Sequence, residues 1–194
     1  MTRILLLQGH PSATDDHLAH ALAAAYQAGA EHAGHEVRQV AVGQLDFPWI
    51  RSQQQWQDSA VNAAIQAVQA DIQWCQHLVL FFPLWMGGMP ALLKAFFEQV
   101  ARPDFAFAMD AKNPMKIKKL QGRSARLVVT MGMPAWVYRW YFRAHGVQTL
   151  RRNILQFVGF KPVKTTLIGG VDQLDSNQAQ QWFERLHARG SLAV

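Results

Sequence analysis

Cysteine is almost missing from this chain. Cys75 is the one thiol among 194 residues, so no internal disulfide can form and packing alone must hold the fold. Charged residues are scarce at 16%, yet half the residues are hydrophobic, which excludes a disordered chain. No apolar run is long enough to span a bilayer, because Pro83, Gly87, Gly88 and Pro90 break the longest one. Metal-ligand spacing is wanting as well. His17/His20 and His32/His35 each stand three apart, but no carboxylate or thiolate joins them at ligand spacing, so they read as surface histidines and no metal is expected. Met1-Thr2-Arg3 leads directly into an apolar strand with no secretory leader. With the lone thiol, that points to the cytoplasm.

The formal net charge is +6. Lys112, Lys116, Lys118, Lys119, Arg123 and Arg126 form one basic group, and Arg139, Arg143, Arg151 and Arg152 another. Such a balance attracts polyanions, but no nucleic-acid motif accompanies it and no nucleic-acid partner is expected. The groups read as solvated faces, one of them available to the phosphates of a soluble dinucleotide.

What the chain has in quantity is alternation of period. Arg3–Gln8 is a short apolar run suited to a buried parallel strand. Asp15 and Asp16 offer an N-cap, and Leu18, Ala21, Leu22, Ala25 and Tyr26 then recur at helical spacing. Glu36–Val42 reads as a second strand, Gly43–Gln57 as a loop and Asp58–Cys75 as an alanine-rich helix. Leu78–Phe82 is the third strand, followed by a helix that starts at Pro90 and runs to about Val100. After a basic loop, Ala101–Gly122, come strand Ala125–Met131, a mostly helical stretch Tyr138–Phe157 interrupted at Gly146, strand Val163–Ile168 and helix Asn177–Ala188. Strands alternating with helices predict a parallel sheet covered on both faces. Ligands of such sheets bind beyond the carboxyl ends of the strands.

Three loops therefore matter. After strand one, Gly9-His10-Pro11-Ser12-Ala13-Thr14-Asp15-Asp16-His17 brings hydroxyls, imidazoles and a helix N-terminus, a combination suited to a phosphate. It is neither G-x-G-x-x-G nor a Walker loop. After strand three, Pro83-Leu84-Trp85-Met86-Gly87-Gly88-Met89-Pro90 offers a flat apolar surface that is costly to leave in water. After strand four, Thr130-Met131-Gly132-Met133 could bring backbone donors to the edge of a heterocycle. Ser12 also follows a strand, but the G-x-S-x-G turn of serine hydrolases is missing.

The matching residues are Gly9-His10-Pro11, Phe82-Pro83-Leu84-Trp85, Met89-Pro90-Ala91-Leu92-Leu93-Lys94, Phe105-Ala106-Phe107, Leu120-x-Gly122-x-x-Ala125, Thr130-Met131-Gly132 and Ile154-Leu155-x-Phe157-x-Gly159-Phe160. On these the chain resembles the flavodoxin-like NAD(P)H:quinone oxidoreductases, which include the potassium-efflux ancillary oxidoreductases and the modulator-of-drug-activity-type enzymes. The resemblance implies a three-layer α/β sandwich over residues 1–194, a single flavin-binding domain with a five-stranded parallel sheet of order 2-1-3-4-5. It implies an enzyme that moves two electrons by ping-pong hydride transfer from NAD(P)H to a quinone or similar flat acceptor. It implies FMN, with FAD as the alternative; the short chain, without the C-terminal extension of larger animal enzymes, favours FMN. It also implies a homodimer.

Residue by residue, the resemblance assigns His10, Thr14, Asp16 and His17 to the flavin phosphate. Pro83, Leu84, Trp85 and Met86 would run beside the isoalloxazine, and Thr130, Met131, Gly132 and Met133 would approach its pyrimidine edge. Tyr138 and, on a looser match, His145 would supply a proton or hydrogen bond. Phe107, Trp85 and Tyr138 would wall the substrate pocket, Phe107 from the other subunit. Met86 stands where a second tryptophan is usual, and Asp104 where glycine is frequent. Two other readings share this fold: an electron carrier of flavodoxin type, which the basic charge disfavours, and an ancillary subunit docking a membrane transporter through Trp136–Arg152.

Overall fold

Burial of backbone decides the layout. β1 (Arg3–Gln8), β3 (His77–Pro83) and β4 (Ser124–Met131) are buried almost throughout, as apolar runs of this kind must be when both sheet faces are covered. β2 (Glu36–Ala41) and β5 (Val163–Gly169) mix exposed and buried positions. They lie at the two edges of a parallel sheet of order β2-β1-β3-β4-β5, so the expected topology holds. We refer throughout to a computed structural model, which describes residues 1–14, 17–58, 60–108 and 118–194.

The period of two along each strand divides the core. Leu5 and Leu7 on β1, Leu78 and Leu80 on β3, and Leu127 and Val129 on β4 face one layer; Ile4, Leu6, Val79, Phe81 and Val128 face the other. The first layer holds α3 (Ala63–Trp74) and α4 (Ala91–Val100), the second α1 (Leu18–His32) and α7 (Ser176–Ser191). Each fully buried Leu or Phe contributes roughly 1.5–3 kcal/mol. α1 and α7 approach closely at Gly29 and Gly190, where an added Cβ would lie 2.0 Å from a carbonyl oxygen of the facing helix.

Three expected elements come out differently. The loop after β2 contains a helix, α2 (Gln53–Asp58), started by Ser52 Oγ, which accepts from Gln55 N–H at 3.1 Å. The long helix expected from Asp58 begins instead at Ala63, because Asn62 Oδ1 accepts from Ala64 N–H at 2.8 Å and caps it there. The segment after β4 divides into α5 (Ala135–Trp140), α6 (His145–Gln148) and a π-wound stretch, Thr149–Gln156. Its break falls at Arg143 and Ala144, with φ of 52° and 49°, rather than at Gly146. At the start of α1 the N-cap position is His17, whose side chain caps no backbone N–H; Asp15 and Asp16 lie outside the described residues. Among the described residues, no helix is long and apolar enough to cross a membrane.

Candidate functional site

The parallel sheet delivers the loops after β1, β3 and β4 to one edge, and hydrogen bonds lock them together. Leu84 N–H donates to Thr130 O at 2.8 Å, joining the third loop to β4. Gly9 N–H donates to Phe81 O at 2.7 Å, joining the first loop to β3. The His10 and Trp85 rings meet edge to face with centroids 6.1 Å apart.

The third loop is a tight hairpin turn. Trp85 and Gly88 exchange both backbone hydrogen bonds at 2.9 Å, and the central residues Met86 and Gly87 have φ of 48° and 78°. Positive φ at both central positions is the signature of a type I′ turn. For Met86 that backbone costs about 1–2 kcal/mol. The strained turn presents Trp85 and Met86 to solvent instead of burying them. Asp104, the other departure from the family pattern, also sits at a left-handed position, with φ of 68°, which accounts physically for a frequent glycine there.

Tyr138 holds this turn from beneath. Its ring is 1% exposed, its hydroxyl donates to Gly87 O at 2.9 Å, and it accepts from Val147 N–H at 3.3 Å. Burial raises its pKa. The structure thus places the Tyr138 ring under cover and gives both roles of its hydroxyl to protein groups. His145 is exposed at the start of α6. Gly146 packs on the turn so closely that an added Cβ would stand 2.2 Å from Gly87 O.

The first loop curls on itself. Ser12 N–H donates to His10 Nδ1 at 3.0 Å, and the Ser12 and Thr14 hydroxyls are 2.8 Å apart. His10 and His17 stack with centroids 3.9 Å apart, and His20 lies 5.6 Å from His10 and 5.9 Å from His17. Asp16 lies outside the described residues. His20 is the residue sequence reasoning missed. Far from being a surface histidine, it is 8% exposed, and its Nδ1 is buried without a hydrogen-bond partner. Its position one helical turn after His17 was the available signal. Among the described residues, no group of three or more His, Cys, Asp or Glu side chains could hold a metal ion.

At the fourth strand the side chains of Thr130 and Met131 are buried, so only their backbone, with exposed Gly132 and half-buried Met133, reaches the edge. Asp172, beyond β5, was also missed. Its Oδ2 lies 2.7 Å from where a Cβ on Gly132 would stand, placing a carboxylate over that glycine. Phe107 goes elsewhere. Its ring contacts Trp56 at 5.9 Å and Phe157 at 5.6 Å, lining an apolar cavity of about 450 Å³ with Phe97 and Ile154. No residue of the three loops lines that cavity.

An open α/β sheet of this order, with its ligand loops meeting between β1 and β3, defines a class whose sites lie at the reversal of strand order. The chain belongs to the flavodoxin-like fold family, whose model matches residues 2–189. It is 31% identical over 102 residues to FMN-dependent NADH:quinone oxidoreductase 2 of Listeria innocua, covering 53% of this chain and 47% of that protein. It is 26% identical over 149 residues to NAD(P)H dehydrogenase (quinone) 1 of Rattus norvegicus, covering 71% of this chain and 52% of that one. The chain thus spans about half the length of the curated relatives it matches. The NAD(P)H:quinone oxidoreductase of Methanothermobacter marburgensis superposes with a TM-score of 0.82 over 98% of both chains at 20% identity. An FMN-dependent NADH-azoreductase of Bacillus anthracis, in complex with FMN, superposes with a TM-score of 0.75 over 100% of both chains at 16% identity. Those two likenesses are of fold.

Proposed function

We propose that this chain is a single-domain, flavin-dependent NAD(P)H:quinone oxidoreductase that uses FMN. The observation that carries this reading is the convergence of three loops at one sheet edge: an N-terminal helix turn with clustered histidines, an exposed tryptophan-bearing turn, and a glycine backbone. The residues fit the group. The backbone N–H groups opening α1, His10, Thr14, His17 and the unpartnered Nδ1 of His20 suit a phosphate. Pro83, Leu84, Trp85 and Met86 supply a flat surface for the ring, and the backbone of Gly132 and Met133, with the Asp172 carboxylate over Gly132, would border its edge. The curated relatives with quinone-reductase names support the activity.

When bound, FMN supplies the hydride-accepting and hydride-donating chemistry. The chain's own residues position and exclude. Trp85 and Met86 would lie against the ring and keep water from that side. Backbone N–H groups near Gly132 stabilise negative charge that develops there. Tyr138 holds the turn at Gly87, and His145, exposed beside it, is the candidate proton donor to an acceptor. We further propose a homodimer in which a second copy covers the apolar cavity at Phe107 and brings that ring toward its neighbour's site.

The test is direct titration with FMN and FAD, followed by assay with NADH and NADPH against a benzoquinone. FMN binding and parallel double-reciprocal lines are expected. A colourless protein that takes up neither flavin sinks the proposal.

A further inference from the structure

Nine large hydrophobic side chains are exposed among the described residues, and six of them, Trp85, Met86, Trp136, Trp140, Tyr141 and Phe142, belong to one end of the sheet. They are joined structurally. Tyr138, within α5, bonds to Gly87 of the Trp85 turn, and Gly146 packs against the same glycine. Trp136 and Trp140 are four apart in α5 and so share a face. They are 69% and 74% exposed, and Tyr141 is 79% exposed. Isolated exposed hydrophobics need no explanation, but a contiguous group marks an interaction surface.

Charge says what kind. Residues 135–152 contain four arginines, Arg139, Arg143, Arg151 and Arg152, and no Asp or Glu. Arg139 and Arg143 interleave with the aromatics, and the Arg139 guanidinium lies 5.9 Å from the Trp140 ring centroid. Tryptophan and tyrosine with interspersed arginine is the composition that settles at a lipid–water boundary, the rings at the headgroup level and the guanidinium groups on anionic phosphates. With six residues α5 is far too short to cross a bilayer, so the segment would lie on it.

We propose that α5 and Tyr141–Arg143 dock this protein on the surface of an anionic lipid bilayer. Resting on the quinone-reductase reading above, the proposal extends to substrate: Tyr138 and Gly146 tie this segment to the Trp85 turn, so a docked protein holds its site beside the bilayer and takes lipid-soluble quinones from it.

The test is flotation of the FMN-loaded protein with vesicles of phosphatidylglycerol and phosphatidylcholine, and with vesicles of phosphatidylcholine alone. Binding to the anionic vesicles, with a blue shift of tryptophan fluorescence, is expected. R139Q/R143Q weakens it about thirtyfold, and W140S/Y141S abolishes the blue shift, while both variants keep wild-type turnover of a water-soluble benzoquinone. Failure to float with anionic vesicles overturns the proposal. So does a W140S/Y141S variant that becomes monomeric by light scattering, which would make this face an interface between copies, or a wild-type protein that is captured only by a protein partner. Flotation without benzoquinone turnover leaves the docking standing and removes the enzyme reading instead.

Discussion

Replacing Tyr138 by phenylalanine separates two roles that the hydroxyl could hold. In the structure it is a strut: it donates to Gly87 O at 2.9 Å and accepts from Val147 N–H at 3.3 Å. Y138F keeps the buried ring and removes both bonds. The Gly87 carbonyl loses its donor beneath the turn, where Gly146 packs against it. Val147 is 2% exposed, so its N–H loses its acceptor where water does not reach. An unsatisfied buried donor costs about 1–3 kcal/mol. The bond is at the long end of the range, so the lower half, about 1–2 kcal/mol, is expected.

Urea denaturation measures that loss as a lower midpoint with an unchanged slope. Loosening of the Trp85 turn should also weaken FMN, by about thirtyfold at most if the whole loss were expressed there. Turnover at saturating FMN should hold within about threefold, well short of the 100-fold or greater loss expected on removing a general acid. A Y138F protein with the wild-type urea midpoint and turnover down by about 100-fold would refute the strut and restore Tyr138 as a proton donor.

Other consequences follow from the same geometry. G146A places a Cβ 2.2 Å from Gly87 O and should cost more than about 3 kcal/mol by denaturation or abolish FMN binding, whereas G88A meets nothing within 4 Å and should be tolerated. His77 is buried at the start of β3, and burial lowers its pKa from 6.5 to about 4. The unfolded chain therefore takes the proton first on acidification. Stability should be full above pH 6.5, fall as pH drops through 4 and lose about 3 kcal/mol in all, and H77Q should flatten that part of the curve. The Cys75 thiol is pushed up to about 12 by burial and donates to Ile72 O at 3.3 Å. It should resist a thiol reagent at pH 8 in the native protein and react only in denaturant.

The sheet was legible because its signal is continuous. Leu78–Phe82 and Leu127–Val129 are apolar without alternation, and only a strand covered on both faces permits that. The edges were not told by polarity: Lys164 and Arg38 are polar within strand-like runs, but so is Arg126 on the interior β4. α2 was hidden in a loop that looked irregular, yet Ser52-x-x-Gln55 is a helix-start signature, and Ser52 Oγ does accept from Gln55 N–H. The break after α5 could not be read at all. Glycine was the natural suspect, but Arg143 and Ala144 take the left-handed backbone while Gly146 serves close packing instead. A single sequence shows which residue tolerates positive φ, not which one tertiary contacts force into it.

The same limit governs the site. Loop composition located Trp85 and the first loop, since ring surface and hydroxyls are side-chain properties visible in one dimension. Direction was not visible. Tyr138, Thr130 and Met131 lie in site segments but point into the core, and within its own chain Phe107 lines a separate cavity. Each position has a local reason: the Gly87 carbonyl draws the Tyr138 hydroxyl, both faces of β4 are covered up to its last residues, and Trp56 with Phe157 flanks Phe107. The residues left facing the edge are those with left-handed or glycine backbone, Met86, Gly87 and Gly132, together with the histidines of the first loop. A site built largely from backbone and strained turns, with the Asp172 carboxylate over Gly132, can receive a flat cofactor. The chemistry then resides in the cofactor and the fold's task is placement, which makes the Tyr138–Gly87 bond a more informative target than any ionisable group at the edge.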